Sequence, residues 1–241
     1  MPPVPPEPGI RTDGHPAMPV PLRIAVLASG RGSNLQALIQ ARAAGALPVD
    51  FVLVGSDKAD AGALRHAHEA GIATFFLDPK DFADRRAYDA ALFERIAASG
   101  AELVVLAGFM RILDGAVLAP WVGRVINIHP SLLPRYRGLH THRRALAAGD
   151  AEHGTSVHYV TSELDGGPVI AQARLAILPG DDEQTLAARV LALEHRLLPA
   201  VVALIAQRRL RHLAPDGVAL DGHRLAAPLV LHGETLRAPS A

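Results

Sequence analysis

Hydrophobic and polar positions fall into a regular rhythm from Arg23 onward. Arg23–Ala28 is a short apolar run of strand type, followed by a glycine-rich turn and a helix-like stretch, Leu35–Ala44. Phe51–Gly55 reads as a second strand, Ala61–Ala70 as a helix and Thr74–Leu77 as a third strand. Ala83–Ser99 is amphipathic, with Tyr88, Leu92 and Ile96 at helical spacing. Leu103–Ala107 is apolar throughout, as a strand covered on both faces requires. The alternation predicts an α/β fold, a doubly wound and mostly parallel sheet with helices on both faces.

Val125–His129 reads as a further buried strand, yet Asn127 and His129 interrupt it two residues apart. Strand side chains alternate faces, so these two point one way while Ile126 and Ile128 fill the other. Pro130 cannot continue a central strand and places the polar pair at the strand's carboxyl end, where α/β sheets carry their ligands. Beyond it, Ser131–Thr141 reads as loop, His142–Ala148 as a short helix, and Thr155–Val160 and Val169–Ile177 as strands. Asp182–Gln207 predicts one long helix, with Pro199 the point at which it could be interrupted. Asp216-Gly217 and Asp221-Gly222 suggest a small terminal hairpin. The expected organisation is a disordered, proline-rich extension over 1–22, with Met18 a candidate start, one domain over 23–213, and a C-terminal hairpin or tail over 214–241.

Composition narrows the function. Lys plus Arg and Asp plus Glu balance at 24 each, which argues against nucleic acid as a partner and leaves a small anionic ligand open. The chain has no cysteine, so thiolate catalysis, disulfides and cysteine-bound zinc are excluded, and a cytoplasmic location is expected. No apolar run reaches membrane-spanning length, so no membrane partner is expected.

Three segments carry candidate chemistry. Ser29-Gly30-Arg31-Gly32-Ser33-Asn34-Leu35 joins a strand to a helix, so the first helical N–H groups can face an anion, with Ser33 as the expected N-cap. Leu35 stands where a dinucleotide fold needs glycine, and a P-loop lysine is missing, so the turn suits a single phosphate. A glycine turn without a ligand stays open. At Asn127 and His129, an amide donor and an imidazole can face a developing oxyanion or move a proton, although a histidine at a strand end is often structural. In Glu163-Leu164-Asp165-Gly166-Gly167-Pro168, two glycines after an aspartate make a tight loop that can aim a carboxylate into a cleft, or merely an acidic surface turn. Asp165 beside a histidine would stabilise the charged imidazole. Asp181-Asp182-Glu183 is expected to cap the long helix, and Glu194 is a carboxylate in an apolar helical stretch. His140 with His142, and His153 with His158, do not match helical zinc spacings, and no metal is expected.

Taken together and in order, Gly30 to Gln36, Ala107-Gly108-Phe109-Met110-Arg111-Ile112-Leu113, Asn127 to Pro134, and Leu164 to Pro168 closely resemble the folate-dependent phosphoribosylglycinamide formyltransferases, over about residues 23–213. The resemblance implies formyl transfer from 10-formyltetrahydrofolate, a co-substrate, to the glycyl amine of glycinamide ribonucleotide. It implies that Gly32, Ser33 and Asn34 bind the phosphate and that Glu194 binds the nucleotide. Folate contacts are implied for Arg85, Met110, Arg111, Ile112, Leu113, Asn127, Thr161, Ser162, Glu163, Leu164 and Asp165. Asn127, His129 and Asp165 match the family's catalytic trio, with protonated His129 expected to face the oxyanion and Asp165 to favour its charge. A monomer or homodimer is expected. Arg137 stands where related enzymes often have proline. Rival readings are another formyl-folate-dependent N-formyltransferase, a formyltetrahydrofolate hydrolase, and a nucleotide-binding module without catalysis.

Overall fold

Alternation in the first strand, β1 (Leu22–Leu27), sorts the core into two layers. Leu22, Ile24 and Val26 join one hydrophobic cluster, and Ala25 and Leu27 join a second on the opposite face. The computed structural model describes residues 20–238, so Met18 and nearly all of the expected extension lie outside the described residues.

After β1 come α1 (Ser33–Ala43), β2 (Val49–Ser56), α2 (Gly62–Glu69), β3 (Thr74–Phe76), α3 (Arg85–Ala98) and β4 (Leu103–Leu106). A short helix the sequence reading omits, α4 (Gly115–Leu118), leads to β5 (Val125–His129), α5 (Thr141–Ala147), β6 (Glu152–Tyr159), β7 (Val169–Ala176) and α6 (Glu183–Ala206). Strands β8 (Leu210–Leu213), β9 (Gly217–Leu220), β10 (His223–Arg224), β11 (Leu229–His232) and β12 (Thr235–Arg237) follow. The main sheet has nine strands in the order β12-β11-β7-β6-β5-β4-β1-β2-β3. Strands β3, β2, β1, β4 and β5 are parallel, whereas β6 runs antiparallel to both its neighbours, β5 and β7. Buried residues of α1, α2 and α6 cover one face, and those of α3 and α4 cover the other.

Caps set the helix starts. Asp84 accepts the Ala87 N–H at 2.8 Å to open α3, and Asp182 exchanges hydrogen bonds with Thr185 in a capping box that opens α6. The one long helix expected here is found: α6 runs unbroken for 24 residues, through Pro199. A proline costs a helix interior roughly 3 kcal/mol. Here the buried stripe Leu197, Leu198, Val201 and Val202 carries packing across that point and outweighs the loss. The C-terminal stretch also departs from a simple hairpin. Strands β8, β9 and β10 form a separate small sheet, while β11 pairs with β7 and β12 with β11 to extend the main one.

Candidate active site

The parallel strands step outward from β1 in both directions, so the carboxyl ends of β1 and β4 flank a crevice. Ser29 ties its two sides together: its N–H donates to the Gly108 carbonyl at 3.0 Å, and its hydroxyl accepts the Met110 N–H at 2.9 Å. The glycine-rich turn opens α1, but the expected cap is displaced by one residue. Gly32 is the N-cap at φ 78°, Ser33 is the first helical residue, and no side chain caps the turn. A Cβ on Gly32 would fall 2.5 Å from the Ala63 backbone, so close packing of α2 forces glycine here. The uncapped N–H groups and Ser33 face a cavity lined also by Arg31, Asp60, Arg65 and His66. Beneath them, Asn34 donates its amide N–H to Glu194 at 2.7 Å, and both residues are buried. Asn34 Oδ1 is buried without a partner, and burial pushes the Glu194 carboxyl above its ordinary range. Sequence positions 160 apart thus meet at the turn.

At the end of β5, Asn127 and His129 lie on the face opposite Ile126 and Ile128, as alternation requires. His129 Nε2 lies 3.0 Å from the Tyr136 carbonyl, an atom that can only accept, so Nε2 carries a proton. Its Nδ1 lies 3.5 Å from Asp165 Oδ2, with both side chains more than nine-tenths buried. Asp165 holds φ 48° and accepts the Gly138 N–H at 2.8 Å. Tyr136 and His140 also have positive φ, so three non-glycine residues around this cleft hold a backbone that L side chains seldom adopt. The sequence reading misses His158, which pairs with Asn127 across the β5–β6 register. Its Nδ1 donates to the Tyr159 carbonyl at 2.9 Å, leaving Nε2 to accept from the Asn127 amide at 3.2 Å. Asp165 Oδ1 lies 3.6 Å from that Nε2.

Burial lowers the His129 pKa, against the opposing pull of the Tyr136 carbonyl and the Asp165 charge. Desolvation outweighs the carboxylate and favours the neutral ring, where the sequence reading expects a protonated one. Burial pushes Asp165 upward, but the neighbouring His158 and His129 and the Gly138 N–H together hold it below the ordinary carboxyl value.

A cleft of about 470 Å³ opens beside this pair, lined by Met110, Arg111, Ile112, Leu113, Asn127 and the whole run Thr161, Ser162, Glu163, Leu164 and Asp165. Met110, Ile112, Leu139 and Leu164 leave large apolar surface exposed at its edge, the mark of a ligand groove. Arg85, the first residue of α3, is exposed and is not brought to the cleft wall. Arg137 spans the mouth and forms an ion pair with Glu163, while Arg144 holds the Arg137 carbonyl at 2.7 Å. Beneath, Ser156 donates to the Ser131 carbonyl at 2.7 Å and accepts from the Leu133 N–H at 3.0 Å, and Gln172 donates to the Leu133 carbonyl at 2.8 Å. The turn after His129 is thus held by a satisfied buried network. His142 and His153, separate in the sequence reading, meet at 3.1 Å.

Residues 22–202 match the family model described as formyl transferase. Phosphoribosylglycinamide formyltransferase of Escherichia coli strain K12 is 50% identical over 204 residues, covering 85% of this chain and 96% of that protein. A trifunctional purine biosynthetic protein of Drosophila pseudoobscura is 47% identical over 194 residues, which are 80% of this chain and 14% of that longer protein. The structure of phosphoribosylglycinamide formyltransferase from Coxiella burnetii superposes with a TM-score of 0.82 at 50% identity, covering 86% of this chain and 96% of that one. On these likenesses the chain belongs to the formyl transferase family, alongside the phosphoribosylglycinamide formyltransferases.

Proposed function

We propose that the chain transfers the formyl group of 10-formyltetrahydrofolate to the glycyl amine of glycinamide ribonucleotide, a step of purine synthesis. The observation that carries this reading is an apolar cleft walled by Asn127, His129 and Asp165, tied to the glycine-rich turn through the hydrogen bonds of Ser29 to Gly108 and Met110. Gly32, Ser33 and Asn34 hold the phosphate end, and Glu194 the nucleotide. The cleft fits a flat heteroaromatic ring, with Met110–Leu113 and Thr161–Asp165 against it. Bound there, formyl-folate supplies an electrophilic one-carbon unit.

The chain's residues divide the work. His129 Nε2–H is committed to the Tyr136 carbonyl, so the neutral ring presents the Nδ1 lone pair. Nδ1 takes the proton of the attacking amine. The resulting imidazolium, disfavoured by burial, is stabilised by Asp165 and by negative charge growing on the formyl oxygen. Asn127 has one amide hydrogen on His158 and one free for that oxygen. Nδ1 then returns its proton to the departing folate nitrogen. Each preorganised donor of this kind contributes about 3–4 kcal/mol to the barrier, and holding two substrates together about 7–11 kcal/mol. Positioning therefore outweighs any single proton transfer. All these groups come from one chain, which suits a monomer or a homodimer with independent sites. The cysteine-free composition suits the cytoplasm.

An absorbance assay for folate product, with and without glycinamide ribonucleotide, tests the reading. Acceptor-dependent turnover is expected, and its absence overturns the assignment. Deformylation that ignores the acceptor would assign a hydrolase instead. His129→Ala should lose about 10²–10⁴-fold in turnover while both ligands still bind by calorimetry. Near-normal turnover would remove His129 from the mechanism.

A further inference from the structure

His129 is steered by a backbone carbonyl, and a carbonyl on a loop needs something to hold it. Tyr136 carries that carbonyl at φ 55°, so its peptide is not in a conformation the residue prefers. Its side chain is held instead. The Tyr136 hydroxyl donates to Asp150 Oδ2 at 2.7 Å, and Asp150 Oδ1 receives the Arg135 guanidinium at 2.5 Å. Asp150 lies beyond the end of α5, its N–H bound to the Ala145 carbonyl at 3.2 Å, and its side chain is only 10% exposed. The Tyr136 ring meets the His153 edge at 6.2 Å between centroids and has the Arg144 guanidinium 5.2 Å from its centroid. Ser131, two residues past His129, donates to the Arg135 carbonyl at 2.6 Å. The loop is therefore gripped on both sides of the one peptide that touches His129.

We propose that Asp150 is a positioning residue for formyl transfer. By fixing the Tyr136 phenol it keeps the Tyr136 carbonyl on His129 Nε2, and so selects the ring tautomer whose Nδ1 can take the amine proton. Asp150 lines neither the cavity at the turn nor the cleft. The inference rests on the reading of His129 as the proton acceptor. The groups facing His129 are Asp165 from its loop, His158 and His153 from β6, Arg144 and His142 from α5 and the Tyr136 carbonyl; those facing Asp150 are Arg135, Tyr136 and His153. Without the clamp, the Nε2 proton loses its acceptor and either nitrogen can carry it.

Two variants, Tyr136→Phe and Asp150→Asn, and two readouts test this. Tyr136→Phe keeps the ring and the carbonyl and removes only the hydroxyl. Both variants should lower kcat about 10- to 100-fold, the scale of a ~1 Å misplacement, with the KM for the ribonucleotide changed less than about twofold. Nitrogen-15 shifts of the His129 ring in the free protein should report a single Nε2–H tautomer in the native chain and a mixture in both variants. An unchanged kcat with a single tautomer in Tyr136→Phe overturns the proposal. So does an equal rise of KM for both substrates with the tautomer intact, which would mark general loosening. If the native protein shows no acceptor-dependent turnover while the tautomer still depends on Asp150, the functional reading fails and the clamp stands.

Discussion

His129 has an acceptor before each ring nitrogen, yet its buried position works against the charge those acceptors favour. The sign of the pH dependence follows. A histidine with a depressed pKa is neutral, and able to accept a proton, above that pKa, so activity is lost as pH falls through it. The Asp165 charge raises the His129 pKa, so Asp165→Asn should move this acid limb to lower pH. The same change should lower turnover at every pH, because the imidazolium formed during reaction loses its carboxylate. A kcat/KM profile between about pH 5 and 8 checks both; a limb that moves upward would contradict the coupling. Asn127 and His129 were legible in the sequence because polar residues two apart in an apolar strand violate its pattern. His158 was visible but read against zinc spacing, since only strand register reveals that it faces Asn127. The Tyr136 carbonyl had no signal at all, because every residue but its side chain looks alike along the backbone.

At the scale of elements, the start of α1 turns close packing into an anion site. The sequence placed a glycine-rich turn there but capped it with Ser33. The structure spends Gly32 on the cap, which leaves Ser33 and the first N–H groups free. Gly32→Ala should be harmful twice over. A left-handed backbone costs a residue with a Cβ about 1–2 kcal/mol, and that Cβ would also collide with Ala63 and push α2 away. A melting temperature lower by about 2–4 °C per kcal/mol is expected, together with a raised KM for the ribonucleotide and little change for folate. Unaltered ribonucleotide binding would show that the turn does not hold it. Helix α6 shows the opposite limit of local reading. Local chemistry leaves a break at Pro199 open, and tertiary packing of the residues around it keeps the helix whole.

Across the whole molecule, the parallel half was readable from its strand–helix alternation, and the later half less so. Antiparallel pairing of β5, β6 and β7 has no crossover helix to announce it, and the strand placing Leu229 in the core lies past a stretch that reads as a tail. The register of β6 has a mechanical consequence. His129, the last residue of β5, pairs with Ser156, so Glu152–Thr155 continue past the end of β5 and remain bonded to β7. Strand β6, which gives His158 to the cleft wall, is therefore a stiff ribbon, whereas the wall around Met110, Leu139 and Leu164 is loop. The loop tips carrying Met110, Leu139 and Leu164 are thus the part of the wall not tied into the sheet. Amide hydrogen exchange should find 153–158 protected orders of magnitude more strongly than 135–140. Equal protection would mean that the crevice yields as one body.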